Sequence, residues 1–176
     1  MLATLGRNLQ KLRLDKGLSL SKLAADAGIA KSNLSRLEQG TGNPTIDTIW
    51  RLAVQLDVPF GSLVASITNA FGNDGVQFKL IEQGTDKPQV DAYWMSMAPN
   101  SERFSEPHSA GTTESVTIIS GQMEINTEGK ATMLGAGDRF TFAADKAHSY
   151  NTGDLRSTLL LTITYDQKEV SNEHSG

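Results

Sequence analysis

LSKLAADAGIAKSNLSRLEQG, residues 20–40, is the stretch that decides the fold of the first part of this chain. Its apolar residues recur at helical spacing on both sides of Gly28, which interrupts the pattern. A glycine adopts a positive φ at little steric cost, so a tight turn between two helices is expected here. Ala24 is small where the two helices cross, and Leu34 and Leu37 supply the apolar underside that packs the second helix on the first.

The same periodicity extends over residues 2–63 and predicts a helical domain. Glycines and prolines divide it into four main helices of about 9 to 13 residues and a short fifth helix after Pro59. Three hydroxyl side chains stand where they can cap a helix or lie in its first turn: Ser19, Ser32 and Thr45.

Beyond Leu63 the pattern changes to short β-rich runs separated by turn residues, which is typical of an all-β sandwich or barrel. The runs are 76–81, 90–97, 115–120, 122–126, 131–134, 139–142 and 157–165. The predicted organisation is therefore an α domain followed by a β domain. Its parts are a helical domain at residues 1–67, a linker at 68–75, the β domain at 76–166 and a polar tail at 167–176.

Charge is divided unevenly between the two parts. Residues 1–70 carry eight Lys and Arg against five Asp and Glu, whereas residues 71–176 carry eight against fifteen. Only the first part is therefore expected to meet a polyanion. The chain has no cysteine, which excludes disulfides and thiolate metal sites. It has neither a signal-peptide pattern nor an apolar run long enough to span a membrane, so we expect a cytoplasmic protein without a membrane partner.

Residues 20–40, with the following PTIDTIWRLAVQLDVP at 44–59, resemble the lambda-repressor-like (Xre-type) helix-turn-helix family over about Leu5 to Leu63. The resemblance implies a double-stranded DNA operator whose major groove receives the second motif helix. Residues expected to face base edges are Lys31, Ser32, Asn33, Ser35 and Arg36. Residues expected to contact the DNA backbone are Ser19, Ser21, Lys22, Gln39, Thr41 and Asn43.

Within this motif the side chains suggest distinct roles. Lys31 and Arg36 can donate to guanine, and Asn33 can pair bidentately with adenine. The family places Arg13 and Glu38 side by side, so the resemblance implies a structural ion pair between helices at these positions. One departure is Leu20, which stands where a glutamine that contacts phosphate is common.

PHSAGTTESVTIISG at 107–121 and GAGDRFTFAADKAHSYNTGD at 135–154 resemble the two cupin motifs, and the likeness covers about Val76 to Tyr165. The resemblance implies a double-stranded β-helix barrel with the metal ligands His108, Glu114 and His148. The usual second histidine of the first motif is Ala110 here. Two imidazoles and one carboxylate suit Zn²⁺ first, and also Fe²⁺, Mn²⁺ or Ni²⁺. A metal-free polar pocket is the alternative.

The two halves together resemble a group of cupin-bearing bacterial regulators, the sulfur-utilisation-type regulators among them. That resemblance implies a homodimeric, non-enzymatic transcriptional regulator that reads a pseudo-palindromic operator. Its barrel would bind a small-molecule effector, such as an amino acid or a related metabolite. The candidate effector-pocket residues are Tyr93, Met95, Met97 and Glu106. Two other classes stay open: a metal-dependent cupin enzyme with an attached DNA-binding domain, and an antitoxin-like interaction protein.

Overall fold

The computed structural model describes residues 2–65, 67, 71–73 and 75–166, so parts of the predicted linker and the whole predicted tail lie outside the described residues. The helical part has the four main helices and the short fifth one that the sequence predicts. The helices are α1 (Leu2–Asp15), α2 (Leu20–Asp26), α3 (Lys31–Glu38), α4 (Ile46–Leu56) and α5 (Phe60–Val64). At 7 and 8 residues, α2 and α3 are shorter than expected, because the chain turns at Gly28 and Gly40 directly after them.

Local chemistry explains where these helices begin and how they pack. Ser19 and Thr45 are N-caps whose side chains accept hydrogen bonds from the backbone of the first turn. Gly28 has a φ of 63°, as the tight turn between α2 and α3 requires. The predicted ion pair is confirmed: Arg13 of α1 donates to both carboxylate oxygens of Glu38, at 2.6 and 2.8 Å. This bidentate pair fixes α1 against the end of α3.

The second part is a two-sheet β structure, as the sequence predicts. The strands are β1 (Phe71–Asn73), β2 (Val76–Gln83), β3 (Gln89–Met97), β4 (Glu102–Ser105), β5 (Thr113–Ser120), β6 (Gln122–Thr127), β7 (Lys130–Gly135), β8 (Arg139–Ala143), β9 (His148–Thr152) and β10 (Ser157–Tyr165). One sheet has the order β1-β2-β3-β10-β5-β8, and the other has the order β4-β9-β6-β7.

Three of these strands were not expected from the sequence. β1 lies within the predicted linker and pairs with β2, while β4 and β9 pair with each other. β4 and β9 are short and rich in polar residues, so their β structure depends on partners that only the fold provides.

The strand β3 shows how the barrel interior is filled. Its side chains alternate, so Tyr93, Met95 and Met97 point inward and are fully buried, whereas Trp94 stays 39% exposed. The two methionines pack in the apolar core, and Tyr93 donates to the buried carboxylate of Asp91 at 2.9 Å.

The helical domain packs directly on the barrel through α5. The backbone N–H of Phe60 donates to the hydroxyl of Tyr165 at 3.2 Å, and Gln83 donates to Ser62 at 3.2 Å. A Cβ at Gly61 would lie 2.4 Å from the carboxylate of Asp91, so only glycine permits this close approach of α5 to the barrel.

Replacement of Gly61 by alanine is therefore expected to lower the free energy of unfolding by about 1–3 kcal/mol, as overpacking does. Helix propensity alone would favour alanine by about 0.5–1 kcal/mol, so the two effects have opposite signs. Urea unfolding measures the difference. Gly153→Ala is the matched control, because a Cβ there meets nothing within 4 Å. A Gly61→Ala protein at least as stable as the native chain would contradict this packing of α5.

Candidate nucleic-acid interface and metal centre

The helix α3 has one apolar and one polar side. Leu34 and Leu37 are buried against the rest of the helical domain. Of the five residues expected to face DNA bases, four are exposed and Ser35 is half-buried; the exposed ones are Lys31, Ser32, Asn33 and Arg36. The helix therefore offers a continuous polar face to solvent.

The side chains predicted to contact the DNA backbone surround this face, and some of them already have intramolecular partners. Lys22 forms an exposed ion pair with Asp26 at 2.7 Å. The Ser19 hydroxyl accepts from the backbone of Lys22, and Thr41 donates to the carbonyl of Arg36. Ser21, Gln39 and Asn43 are exposed. Ion pairs and hydrogen bonds this exposed contribute little to stability.

A groove of about 480 Å³ runs beside the polar face of α3. It brings Asn33, Arg36 and Asn43 together with three side chains that the sequence did not single out for this surface: Thr45, Thr48 and Arg51. Arg51 lies next to the turn between α2 and α3, where it contacts the carbonyls of Ala27 and Gly28 at 3.4 and 3.5 Å. The sequence shows that Thr45, Thr48 and Arg51 recur at every third residue, but it does not show the groove that these side chains share with α3.

In the barrel, the three predicted metal ligands form one buried group. The ligand atoms of His108, Glu114 and His148 all lie within 4.8 Å of one another. Glu114 is on β5 and His148 on β9, so one strand from each sheet contributes, while His108 follows β4. His108 Nε2 is 2.6 Å from Glu114 Oε1, and His148 Nε2 is 3.5 Å from Glu114 Oε2.

The hydrogen bonds of the group agree with what a metal requires. His148 Nδ1 lies 2.9 Å from the carbonyl of Lys146 and must therefore carry a hydrogen. The lone pair of the neutral ring is then on Nε2, which is buried and has no hydrogen-bond partner within the described part of the chain. A carbonyl that orients a ligand histidine in this way is a common feature of metal sites. The three residues thus fit a divalent metal ion.

The charges within the group also favour ligation. Burial by itself would raise the pKa of Glu114, but the hydrogen bond with His108 and the attraction of both imidazoles in their protonated, metal-free form outweigh it and hold that pKa well below its usual range. The carboxyl is therefore ionised, as a ligand must be. Burial and the adjacent Glu114 charge raise the pKa of Tyr150, whose neutral hydroxyl donates to Glu114.

Trp50 of α4 joins the helical domain to this group. Its ring stacks on His108 with centroids 4.0 Å apart and 14° between the planes, and on Phe60 of α5 with centroids 4.2 Å apart. A second link is the ion pair of Arg103 on β4 with Asp47 on α4, at 3.1 Å. Nothing in the sequence identified these two links, because the residues lie in different domains and belong to no motif.

A cavity of about 360 Å³ lies at this junction, and we call it the junction cavity. Asp26, Ala27, Gly28, Asp47, Trp50, Arg51, Val54 and Gln55 line it from the helical side. Arg103, Ser105, Glu106, Pro107 and His108 line it from the barrel. Of the four predicted effector-pocket residues, only Glu106 lines this cavity. Tyr93, Met95 and Met97 are fully buried core residues and do not line it. The alternation of β3 therefore predicted that they point inward, but not whether they fill the core or line a pocket.

No helix within the residues that the structure describes is long and apolar enough to cross a membrane. Comparison with known families gives two matches: a helix-turn-helix family (HTH_3) at residues 9–63 and a cupin domain family (Cupin_2) at residues 93–164. These ranges include α3 in the first case, and Glu114 and His148 in the second.

Among curated proteins, the HTH-type transcriptional regulator SutR of Escherichia coli K12 is 32% identical over 155 residues, which cover 85% of this chain and 87% of SutR. The regulator SinR of Bacillus subtilis is 39% identical over 61 residues, covering 34% of this chain and 55% of SinR. A solved HTH_3 family transcriptional regulator from Vibrio cholerae has the same fold, with a TM-score of 0.85, 22% identity and coverage of 94% of this chain and 97% of that one. The chain thus belongs to the HTH-type (Xre) transcriptional regulators that carry a C-terminal cupin domain.

Proposed function

We propose that α3 lies in the major groove of an operator and that its exposed side chains read the bases. The observation that carries this proposal is the polar face of α3 above the buried Leu34 and Leu37. Arg36 and Lys31 donate to guanine, and Asn33 pairs with adenine. The neighbouring groove residues Thr45 and Thr48 belong to the same surface and contact phosphate.

The regulator acts as a homodimer, with two helical domains on half-sites about one DNA turn apart in a pseudo-palindrome. Exposed apolar side chains on the outer face of the six-stranded sheet support a barrel-to-barrel contact. Val90 and Trp94, both on β3, are 41% and 39% exposed. A two-fold operator requires two copies of α3 and therefore two copies of the chain. The second copy covers this apolar face of the six-stranded sheet.

The barrel holds one divalent metal through His108, Glu114 and His148, with Zn²⁺ the first candidate and Fe²⁺, Mn²⁺ or Ni²⁺ the others. Three protein ligands leave coordination positions open, and the metal would supply a Lewis acid there. The remaining ligand position of the cupin motifs, the second histidine of the first motif, is Ala110, whose side chain has no atom that can bind a metal.

The barrel serves as a sensor for a small molecule and not as a catalyst. Trp50 stacks on the candidate ligand His108, so the helical domain packs against the metal centre. An effector bound there alters the same contacts that hold the DNA-binding domain. A tenfold change in operator affinity requires a difference of about 1.4 kcal/mol in effector binding between the two states.

Arg36→Ala is expected to weaken binding to an operator selected from random-sequence DNA by about 1–3 kcal/mol and to relax one base position, since Arg36 reads a base. Lys22→Ala, which removes the same charge outside α3, is the matched control. It is expected to lower the salt slope of binding by about one unit on every sequence. Titrations at several salt concentrations measure both effects. An equal loss for Arg36→Ala on operator and random DNA would show that Arg36 contacts phosphate only.

Metal content measured by plasma mass spectrometry tests the barrel. The untagged protein is expected to hold about one metal per chain, and His148→Ala is expected to lose it, because two ligands hold a metal much more weakly than three. His174→Ala is the control, since His174 is the third histidine of the chain and belongs to no metal motif. Absence of metal in all three proteins, even after incubation with Zn²⁺ and Fe²⁺, would make the barrel a metal-free pocket.

A further inference from the structure

Tyr150 contacts the candidate metal group without being one of its three ligands. It lies on β9 two residues after His148, so both side chains point to the same inward face of the strand. Tyr150 is 1% exposed, and its hydroxyl donates to Glu114 Oε2. An ionised carboxylate can only accept, so the direction of this hydrogen bond is fixed. The hydroxyl therefore holds one particular oxygen of a candidate ligand.

The barrel fixes the ring of Tyr150 from several sides. β9 is an inner strand of its sheet, where Tyr150 pairs with Arg103 on β4 and with Ile125 on β6. The ring of His148 meets that of Tyr150 edge-on, with centroids 5.6 Å apart. A buried ring packed in this way has little freedom to move. Its hydroxyl is therefore a stable anchor for the carboxylate of Glu114.

The polar neighbours of Glu114 respond differently to a metal. Oε1 lies 2.6 Å from His108 Nε2, and since the carboxylate is ionised, the hydrogen between them is on the histidine. Oε2 lies 3.5 Å from His148 Nε2, which has no hydrogen-bond partner among the residues described. A histidine binds a metal through a nitrogen lone pair, so the hydrogen must leave His108 Nε2 when a metal binds there. The phenol of Tyr150 keeps its hydrogen, and its bond to Glu114 persists.

We propose that Tyr150 is a positioning residue of the metal centre: it holds Glu114 Oε2, so that the carboxylate offers a metal its other oxygen alone. This inference rests on the proposed metal site and accounts for the room that this site keeps for an effector. A carboxylate bound through both oxygens would supply two ligand atoms and, with the two imidazoles, complete a set of four. Restricted to one oxygen, the protein supplies three ligand atoms, and the position that Ala110 leaves without a ligand stays open.

Titration of the metal-free protein with Co²⁺, a spectroscopic substitute for Zn²⁺, tests this inference, because its visible absorption reports both binding and coordination number. Tyr150→Phe keeps the ring and removes only the hydroxyl. It is expected to bind Co²⁺ about 10–100-fold more weakly, which is the usual effect of losing a group that orients a ligand. The freed oxygen is also expected to join the coordination. The visible band of each bound Co²⁺ then becomes weaker, since four-coordinate Co²⁺ absorbs more strongly than five-coordinate Co²⁺.

Tyr93→Phe is the matched control. Tyr93 is also a buried tyrosine of the barrel, and its hydroxyl donates to the carboxylate of Asp91, which is not a candidate metal ligand. Its affinity for Co²⁺ and its visible band are expected to equal those of the native protein. Thermal unfolding of the metal-free proteins separates a structural from a positioning role. Stability is expected to fall in both variants, whereas affinity and band change in Tyr150→Phe alone.

Binding of Co²⁺ to the native protein tests the metal site independently of Tyr150, so the two proposals fail in different ways. An unchanged affinity in Tyr150→Phe, or a visible band identical to the native one, would overturn the role of Tyr150 and leave the metal site standing. No binding of Co²⁺ by the native protein would overturn both.

Discussion

The contact of Trp50 with His108 is the interaction on which the arrangement of the two domains depends. A flat aromatic pair of this kind is worth about 0.5–1.5 kcal/mol beyond the apolar area that it buries. It places a residue of the DNA-binding domain against a candidate metal ligand. The ion pair of Arg103 with Asp47 lies beside it, and removal of either partner would affect the packing of the two domains.

Besides packing against α5, the helix α4 reaches the barrel, the groove beside α3 and the turn between α2 and α3 through different side chains. Trp50 and Asp47 contact the barrel, Thr48 lines the groove beside α3, and Arg51 contacts the turn between α2 and α3. A shift of α4 relative to the barrel would therefore also change the contact of Arg51 with the turn that precedes α3. Packed side chains thus connect the barrel with the turn before α3, and packed elements of this kind can have two discrete arrangements.

Most of the fold was predictable because it follows from local patterns. Helical spacing with capping hydroxyls predicted α1 to α5, and alternation predicted that Tyr93, Met95 and Met97 share one face of β3. β4 and β9 were missed, since their short polar sequences become strands only when paired. The buried group of His108, Glu114 and His148 was predictable from motif spacing, because the barrel brings distant motif positions together in a regular way.

The junction itself was not predictable from the sequence. Trp50 looked like one apolar residue among many in α4, and Arg103 looked like an ordinary charge in a polar stretch. Their roles depend on how the helical domain packs against the barrel, and the periodicity of a sequence carries no information about the packing of two domains. The inward face of β3 was identified correctly, but its large side chains fill the core. The junction cavity lies instead at the boundary between the two domains, where Glu106 lines it.

The most direct test of this account is a nuclear Overhauser measurement between the indole of Trp50 and the imidazole of His108 in the full chain. Trp94→Phe leaves Trp50 as the single tryptophan, which makes the assignment unambiguous. With ring centroids 4.0 Å apart, the account predicts strong cross-peaks between the two rings. Cross-peaks from Trp50 to Phe60 but none to His108 would show that the helical domain folds as described but does not place Trp50 on the candidate metal ligand, which would contradict the account.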